Sequence, residues 1–139
     1  MSADKPIRVG LIGYGYAGRT FHAPLVRCVP GLQLDAVASQ RGDEVRHQLG
    51  SVRVCDAAAL IHDSEIDLLI VACPNVEHFR LAYAALKAGK HVVVEKPFTV
   101  TLSEARMLRD VAAAENRVLT VFQNRRWDSE VLEIGRAHV

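Results

Sequence analysis

The sequence predicts an open, doubly wound α/β sheet of the dinucleotide-binding (Rossmann) type, with parallel strands in the order 3-2-1-4-5-6 and helices on both faces. Three observations predict it. Short apolar runs of strand length alternate with longer segments of helical period along the chain. A glycine-rich turn, Gly13-Tyr14-Gly15-Tyr16-Ala17-Gly18, follows the first of those runs at once. Six such runs are present, the number in a full dinucleotide-binding unit.

Ile7–Ile12 is mostly apolar and closed by Gly13, as in a strand buried on both faces. Over residues 17–29 the apolar side chains of Phe21, Leu25 and Cys28 or Val29 recur at three- and four-residue steps, which predicts a helix with those residues inward. Pro30 and Gly31 end it. Leu32–Ala38 reads as the second strand. A short helix over 43–49, a third strand over 52–54 and a helix over 56–61 capped by Asp56 come next. Residues 68–72 form the fourth strand. Residues 77–88 are helical, with Phe79, Ala82 and Leu86 as the inward stripe and Gly89 as the stop. Residues 91–94 form the fifth strand, a helix capped by Ser103 runs to about Asn116, and residues 118–122 form the sixth strand. Another helix is expected to begin near Glu130. Strand and helix in this regular alternation make the sheet parallel.

At 139 residues the chain has the length of one ordinary domain. Half of it is apolar and 24% is charged, as in a globular protein, and the net charge of +1 supplies no field that would recruit nucleic acid or anionic lipid. Cys28, Cys55 and Cys73 are widely spaced and form neither a disulfide framework nor a zinc motif. The start has no basic segment leading into a signal-type apolar run, and no run is long enough to span a membrane, so a cytoplasmic protein is expected. No low-complexity stretch or internal repeat is visible.

The glycine turn carries the first functional reading. Gly13 allows the tight turn, Gly15 lets backbone approach a pyrophosphate, and Gly18 lets helix and strand pack closely. The N–H groups near Tyr16 and Ala17, at the positive end of a helix, would hold the phosphates. A methyltransferase also has a glycine loop after its first strand. It would carry an acidic residue at the end of the second strand, as would an NAD-preferring enzyme, whose acid binds the ribose 2′-hydroxyl. Here that position reads Ser39-Gln40-Arg41, and Asp35 lies mid-strand, too early to reach the ribose. A hydroxyl and a guanidinium suit a 2′-phosphate, so NADP is expected in preference to NAD. The plainer alternative for Arg41 is a solvated loop arginine.

Two further stretches carry a resemblance. After the fourth strand comes Cys73-Pro74-Asn75-Val76-Glu77-His78, and the fifth lies within Gly89-Lys90-His91-Val92-Val93-Val94-Glu95-Lys96-Pro97-Phe98. With the glycine turn, these resemble the glucose–fructose oxidoreductase, inositol dehydrogenase and rhizopine-catabolism (Gfo/Idh/MocA) family, over roughly Pro6 to Glu130. The stretch Phe122-Gln123-Asn124-Arg125-Arg126-Trp127-Asp128 looks most like the branch that contains NADP-dependent scyllo-inositol 2-dehydrogenase. The resemblance implies reversible hydride transfer between a nicotinamide and a carbon bearing a hydroxyl, usually on a sugar or cyclic polyol. It implies that Pro74, Asn75 and His78 line the cofactor and that Glu95 and Lys96 approach the nicotinamide and substrate. Lys96, the expected catalytic residue, can hydrogen-bond the reacting oxygen and move its proton. Without the resemblance, Lys96 would read as a surface lysine paired with Glu95, and His78 as a helix-start histidine satisfied by backbone.

Asn124, Arg125 and Trp127 follow the last strand at the same sheet edge; they either bound the nicotinamide or sugar site or pack against a second domain. His22, His47, His62 and His91 read as ordinary structural histidines, since no pair has metal-ligand spacing. Cys73 stands where the family more often has threonine. Family members continue into an open-faced sheet domain that carries further acid–base residues and the oligomer contact, so an oligomer is expected only with that domain. The alternative function is a stand-alone NADPH-binding sensor or partner module. The last six residues, Ile134 to Val139, resemble the translation of a common sequencing adapter whose next triplet is a stop. Residues 1–132 are therefore expected to be the cofactor-binding domain, and residues 133–139 a non-native tail packed against nothing. The gene would continue into a substrate domain, and the short chain alone would be inactive.

Overall fold

The first apolar run, Ile7–Ile12, forms β1, the strand on which the rest of the sheet assembles. It pairs in parallel with β2 (Leu32–Ala38) on one side and with β4 (Leu68–Val71) on the other. β3 (Arg53–Cys55) adds outside β2, while β5 (His91–Glu95) and β6 (Leu119–Phe122) add outside β4. The order β3-β2-β1-β4-β5-β6 is the one expected. These relations come from a computed structural model that describes residues 5–137.

Alternation along the strands divides the core between the two faces of the sheet. Ala36, Ala38, Leu69, Val71, Val92 and Val94 face one way, against α3 (Ala57–His62), α4 (His78–Lys87) and α5 (Leu102–Ala114). Val9, Leu11, Val37 and Ile70 face the other way, against α1 (Ala23–Cys28) and α2 (Gly42–Leu49). The helices bury small and branched residues against the sheet, most fully Leu81, Ala82, Ala85 and Leu86 of α4. The stripe expected there had Phe79 in place of Leu81; Phe79 sits partly exposed on its rim, stacked near Tyr83.

Four local expectations are corrected. The helix after the glycine turn opens with Tyr16 and Ala17 and passes into a π-helical stretch, Gly18–His22, before α1. The Ala23 N–H reaches the Gly18 carbonyl five residues back, and Pro24 has no N–H with which to continue an ordinary ladder. The wider turn rotates the next residues about the helix axis, so His22, Ala23 and Val26 point inward while Leu25, Cys28 and Val29 are exposed. The cap of α5 is Thr101, not Ser103. The Thr101 hydroxyl accepts from the Glu104 N–H at 3.3 Å and the Glu104 carboxylate accepts from the Thr101 N–H at 3.0 Å, a reciprocal capping box. The third strand lies one residue later than expected, and the fifth extends through Glu95. Asp56 caps α3 as expected, accepting from the Ala59 N–H at 2.7 Å. After β6 a 3-10 turn (Asn124–Trp127) leads into α6 (Ser129–Ala137). Residues 133–137 of the expected tail thus continue that helix, and residues 138–139 lie outside the described residues.

Candidate functional site

The carboxyl ends of β1, β2 and β4 meet at the glycine turn. The Gly13 N–H bonds the Ala38 carbonyl at 2.9 Å, and with φ at 102° a Cβ on Gly13 would lie 2.3 Å from the Ala72 carbonyl oxygen. A Cβ on Gly18 would lie 2.2 Å from the Gly13 carbonyl oxygen. Gly15 differs: a Cβ there would meet no protein atom within 4 Å. Gly13 and Gly18 are therefore needed by the fold itself, whereas the space beside Gly15 is open to a ligand. Tyr14 is buried and its hydroxyl donates to Gln48 on α2 at 2.9 Å; burial pushes its phenol up. Tyr16 is exposed and sets its ring edge-on against Phe21.

A cleft of about 600 Å³ opens here, and Gly13, Gly15, Ser39, Arg41 and Pro74 all line it. Ser39 Oγ accepts the Arg41 N–H at 3.0 Å, which ties the loop after β2 to the start of α2. The Arg41 guanidinium is 61% exposed and stands 3.6 Å from Glu44, whose carboxylate is held by Arg19 at 2.8 Å. That hydrogen bond from Arg19 holds the Glu44 carboxyl below its usual range. Asp35, mid-strand, is bound instead to the Arg8 side chain, with Nε at 2.9 Å, so no acidic side chain of β2 turns toward the cleft.

Beyond β4, Pro74 leads into a 3-10 turn (Asn75–Glu77) and then α4. Asn75 is exposed, but His78 is 1% exposed. Its Nδ1 lies 2.9 Å from the Pro97 carbonyl and its Nε2 2.9 Å from the Cys73 carbonyl. His78 thus staples the loop after β4 to the loop after β5 and sits beneath the surface both loops present. Burial pushes the neighbouring Cys73 thiol up, away from thiolate chemistry.

At the end of β5 the pair Glu95-Lys96 divides its labour. Glu95 turns inward: Oε1 lies 2.9 Å from His22 Nε2, and Oε2 accepts the Lys96 N–H at 2.9 Å. Lys96 turns outward into a smaller cleft of about 390 Å³ that also holds Asn124 and Arg125, and the Lys96–Pro97 peptide is cis. Trp127 is exposed and lines a neighbouring groove of about 820 Å³ with Leu25, Val93 and Phe122. The structure therefore brings Lys96, Asn124 and Arg125 together, and leaves Trp127 on the adjoining surface. A groove of about 690 Å³ between α5 and β6, with Arg106, Arg109 and Arg117 on its walls, contains none of the expected site residues. Among the described residues no group of three or more His, Cys, Asp or Glu side chains could hold a metal, and no helix is long and apolar enough to cross a membrane.

His22 was expected to be an ordinary structural histidine. Only 3% exposed, it instead meets the carboxylate adjacent to Lys96. Burial pushes its imidazole pKa down, and the Glu95 contact opposes this only in part. In the unfolded chain the ring takes up a proton near pH 6.5, so below that the unfolded state binds more protons and folding weakens. Thermal melts should therefore show the midpoint falling as the pH is lowered from about 7.5 to about 5.5, with full stability above the unfolded value. His22→Gln should flatten that dependence, and an unchanged slope would place the titration elsewhere.

Comparison with known proteins agrees with this arrangement. Residues 7–123 match the Gfo/Idh/MocA oxidoreductase family, described as an NAD-binding Rossmann fold. The chain is 54% identical over 129 residues to the uncharacterized oxidoreductase YdgJ of Escherichia coli, an alignment covering 92% of this chain and 37% of that protein. It is 36% identical over 131 residues to the NADP-dependent scyllo-inositol 2-dehydrogenase IolW of Bacillus subtilis, covering 94% of this chain and 37% of that one. A biliverdin reductase from Synechocystis, crystallised with biliverdin and NADP+, superposes with a TM-score of 0.88 at 32% identity, over 94% of this chain and 42% of the reductase. The chain thus spans about two fifths of the length of these relatives.

Proposed function

The chain belongs to the Gfo/Idh/MocA oxidoreductase family, in its NAD(P)-binding Rossmann part, and from that premise we propose that it binds NADP(H) in preference to NAD(H) for an enzyme acting on a sugar or cyclic polyol hydroxyl. One observation carries the reading. The glycine turn after β1, the Ser39–Arg41 pair after β2 and Lys96 after β5 all lie along the carboxyl edge of one parallel sheet, where open α/β sheets bind ligands.

The residues present fit a phosphorylated dinucleotide. Open space beside Gly15 admits a pyrophosphate against the backbone, and the helical segment that opens at Tyr16 would present its first N–H groups, those near Tyr16 and Ala17, to it. Ser39 and the exposed guanidinium of Arg41 offer a hydroxyl and a charged fork to a 2′-phosphate. When bound, the nicotinamide gives or accepts the hydride. Lys96 Nζ is the group free to donate a hydrogen bond to the reacting oxygen and to exchange its proton, and Asn124 and Arg125 can orient polar groups of the substrate beside it. The scyllo-inositol dehydrogenase among the relatives favours a cyclic polyol as substrate.

Calorimetric titration of the 139-residue chain with NADPH and NADH tests the cofactor preference. Arg41→Ala should weaken NADPH about ten- to a hundredfold and leave NADH nearly unchanged, because only the phosphorylated ribose loses a charge-assisted hydrogen bond. Equal losses for both nucleotides would remove Arg41 from the phosphate site.

A further inference from the structure

Resting on the reading of Lys96 as the group that meets the reacting oxygen, we propose that His22 is a positioning residue for Lys96, acting through the buried carboxylate of Glu95. Four observations converge on it. The π-helical stretch Gly18–His22 inserts an extra residue into the turn and so rotates His22 toward the sheet. His22 Nε2 then meets Glu95 Oε1 at 2.9 Å, and the other oxygen of the same carboxylate accepts the Lys96 N–H at 2.9 Å. The Phe122 ring lies 4.4 Å from the imidazole, centroid to centroid, and Phe122 is the residue of β6 registered with Glu95. The peptide from which the Lys96 side chain departs is therefore held by one oxygen of a carboxylate whose other oxygen is held by His22.

A buried carboxylate with one partner could still swing about its last torsion. With both oxygens engaged it is fixed, and so is the direction in which Lys96 leaves the strand. Stability alone does not account for the arrangement, because a buried ionic or polar pair stabilises a core no better than apolar side chains of similar volume. The irregular turn adds to the point, since π-bulges concentrate at functional sites. Here the bulge produces one inward polar side chain, and that side chain reaches the strand end that presents Lys96.

A mutant cycle in this domain joined to the remaining part of a full-length relative tests the proposal, using His22→Asn, His22→Gln, Lys96→Ala and the double variants. The glutamine amide nitrogen can reach the place of Nε2, whereas that of asparagine stops near Nδ1. His22→Asn should lower kcat roughly 10- to 100-fold, the scale of a misplaced reacting group, and leave nicotinamide affinity nearly unchanged. His22→Gln should recover most of that loss. In the Lys96→Ala background His22→Asn should cost nothing further, because a residue that acts only through Lys96 has no effect once Lys96 is gone. A full additional loss in that background, or equal turnover of the asparagine, glutamine and parent proteins, overturns the positioning role. Normal turnover of Lys96→Ala overturns instead the reading of Lys96 on which the role rests. Amide exchange in the 139-residue chain gives a readout that needs no substitution. The Lys96 N–H should be protected although its side chain is exposed, and exchange at the rate of a free loop amide would defeat the proposal.

Discussion

Lys96→Ala, made in this domain joined to the remaining part of a full-length relative, is expected to lower kcat by about two to four orders of magnitude, the usual contribution of a positioned proton donor or acceptor. The nicotinamide dissociation constant should change little. The Lys96 side chain stands in a cleft with Asn124 and Arg125, apart from the larger cleft lined by Gly15, Ser39 and Arg41. Its removal therefore spares the contacts proposed for the phosphates and takes away one that strengthens as charge develops on the reacting oxygen. Lys96→Arg separates two versions of this idea. Arginine keeps the positive charge but does not give up a proton in proteins, so a variant nearly as slow as alanine points to proton transfer. Recovery of turnover would point to electrostatic stabilisation alone. Near-parent turnover of Lys96→Ala at saturating substrate would end the assignment.

Alanine at each of the three turn glycines should give two different phenotypes. At Gly13 the new Cβ would meet the Ala72 carbonyl oxygen in a backbone conformation that side chains disfavour, and at Gly18 it would meet the Gly13 carbonyl oxygen. Overpacking and strain of this kind cost about 2–5 kcal/mol, a large part of the stability of an ordinary domain. Gly13→Ala and Gly18→Ala should therefore melt well below the parent, whether or not nucleotide is present. Gly15→Ala should melt with the parent, because its Cβ enters open space. The proposed site brings a pyrophosphate to the backbone through that same space, so NADPH affinity should fall by more than about tenfold. Thermal melts and calorimetry on the same three proteins decide the matter. A Gly15→Ala chain that binds NADPH as tightly as the parent would show that the phosphates lie elsewhere.

The sheet order was legible because each strand announced itself by length and composition and the glycine turn located the first crossover. The placement of Gly15, Ser39 and Arg41 on one cleft, with Lys96 in another at the same sheet edge, was legible for a related reason, although only the family resemblance singled out Lys96. In a doubly wound sheet, the residues that directly follow strands gather at one edge, so position in sequence translates into position in the site. The role of His22 was not legible, because its inward direction depends on a π-helical turn that apolar periodicity does not encode. Reading that segment as a regular helix turned Leu25 and Cys28 inward and left His22 without a task. The inward turn of Glu95 was hidden for a similar reason. Its partners, His22 and the Lys96 N–H, come together only once the first helical segment packs on the end of β5. The cap of α5 is a different case. Thr101-Leu102-Ser103-Glu104 contains the capping-box spacing in plain view, because the glutamate stands three residues beyond the threonine and only one beyond Ser103.

The central place of β1 has a consequence in time. The strand made first has β2 available within a short stretch of chain, but its other neighbour pairs Val9 with Leu68, and that ladder must wait until residues 68–71 have been synthesised. Such distant pairings form slowly, because the entropy of closing the intervening loop is lost before the contact compensates for it. Until then one side of β1 is an unsatisfied edge, the kind of surface through which nascent chains aggregate. The glycine turn shares the delay, since Gly13 is bonded to Ala38 from β2 and pressed against Ala72, just beyond β4. A ribosome-bound chain that ended before β4 would contain every residue of the glycine motif and still lack its shape. The shape proposed to hold a nucleotide thus has to await the docking of the fourth strand, although its glycines were made long before.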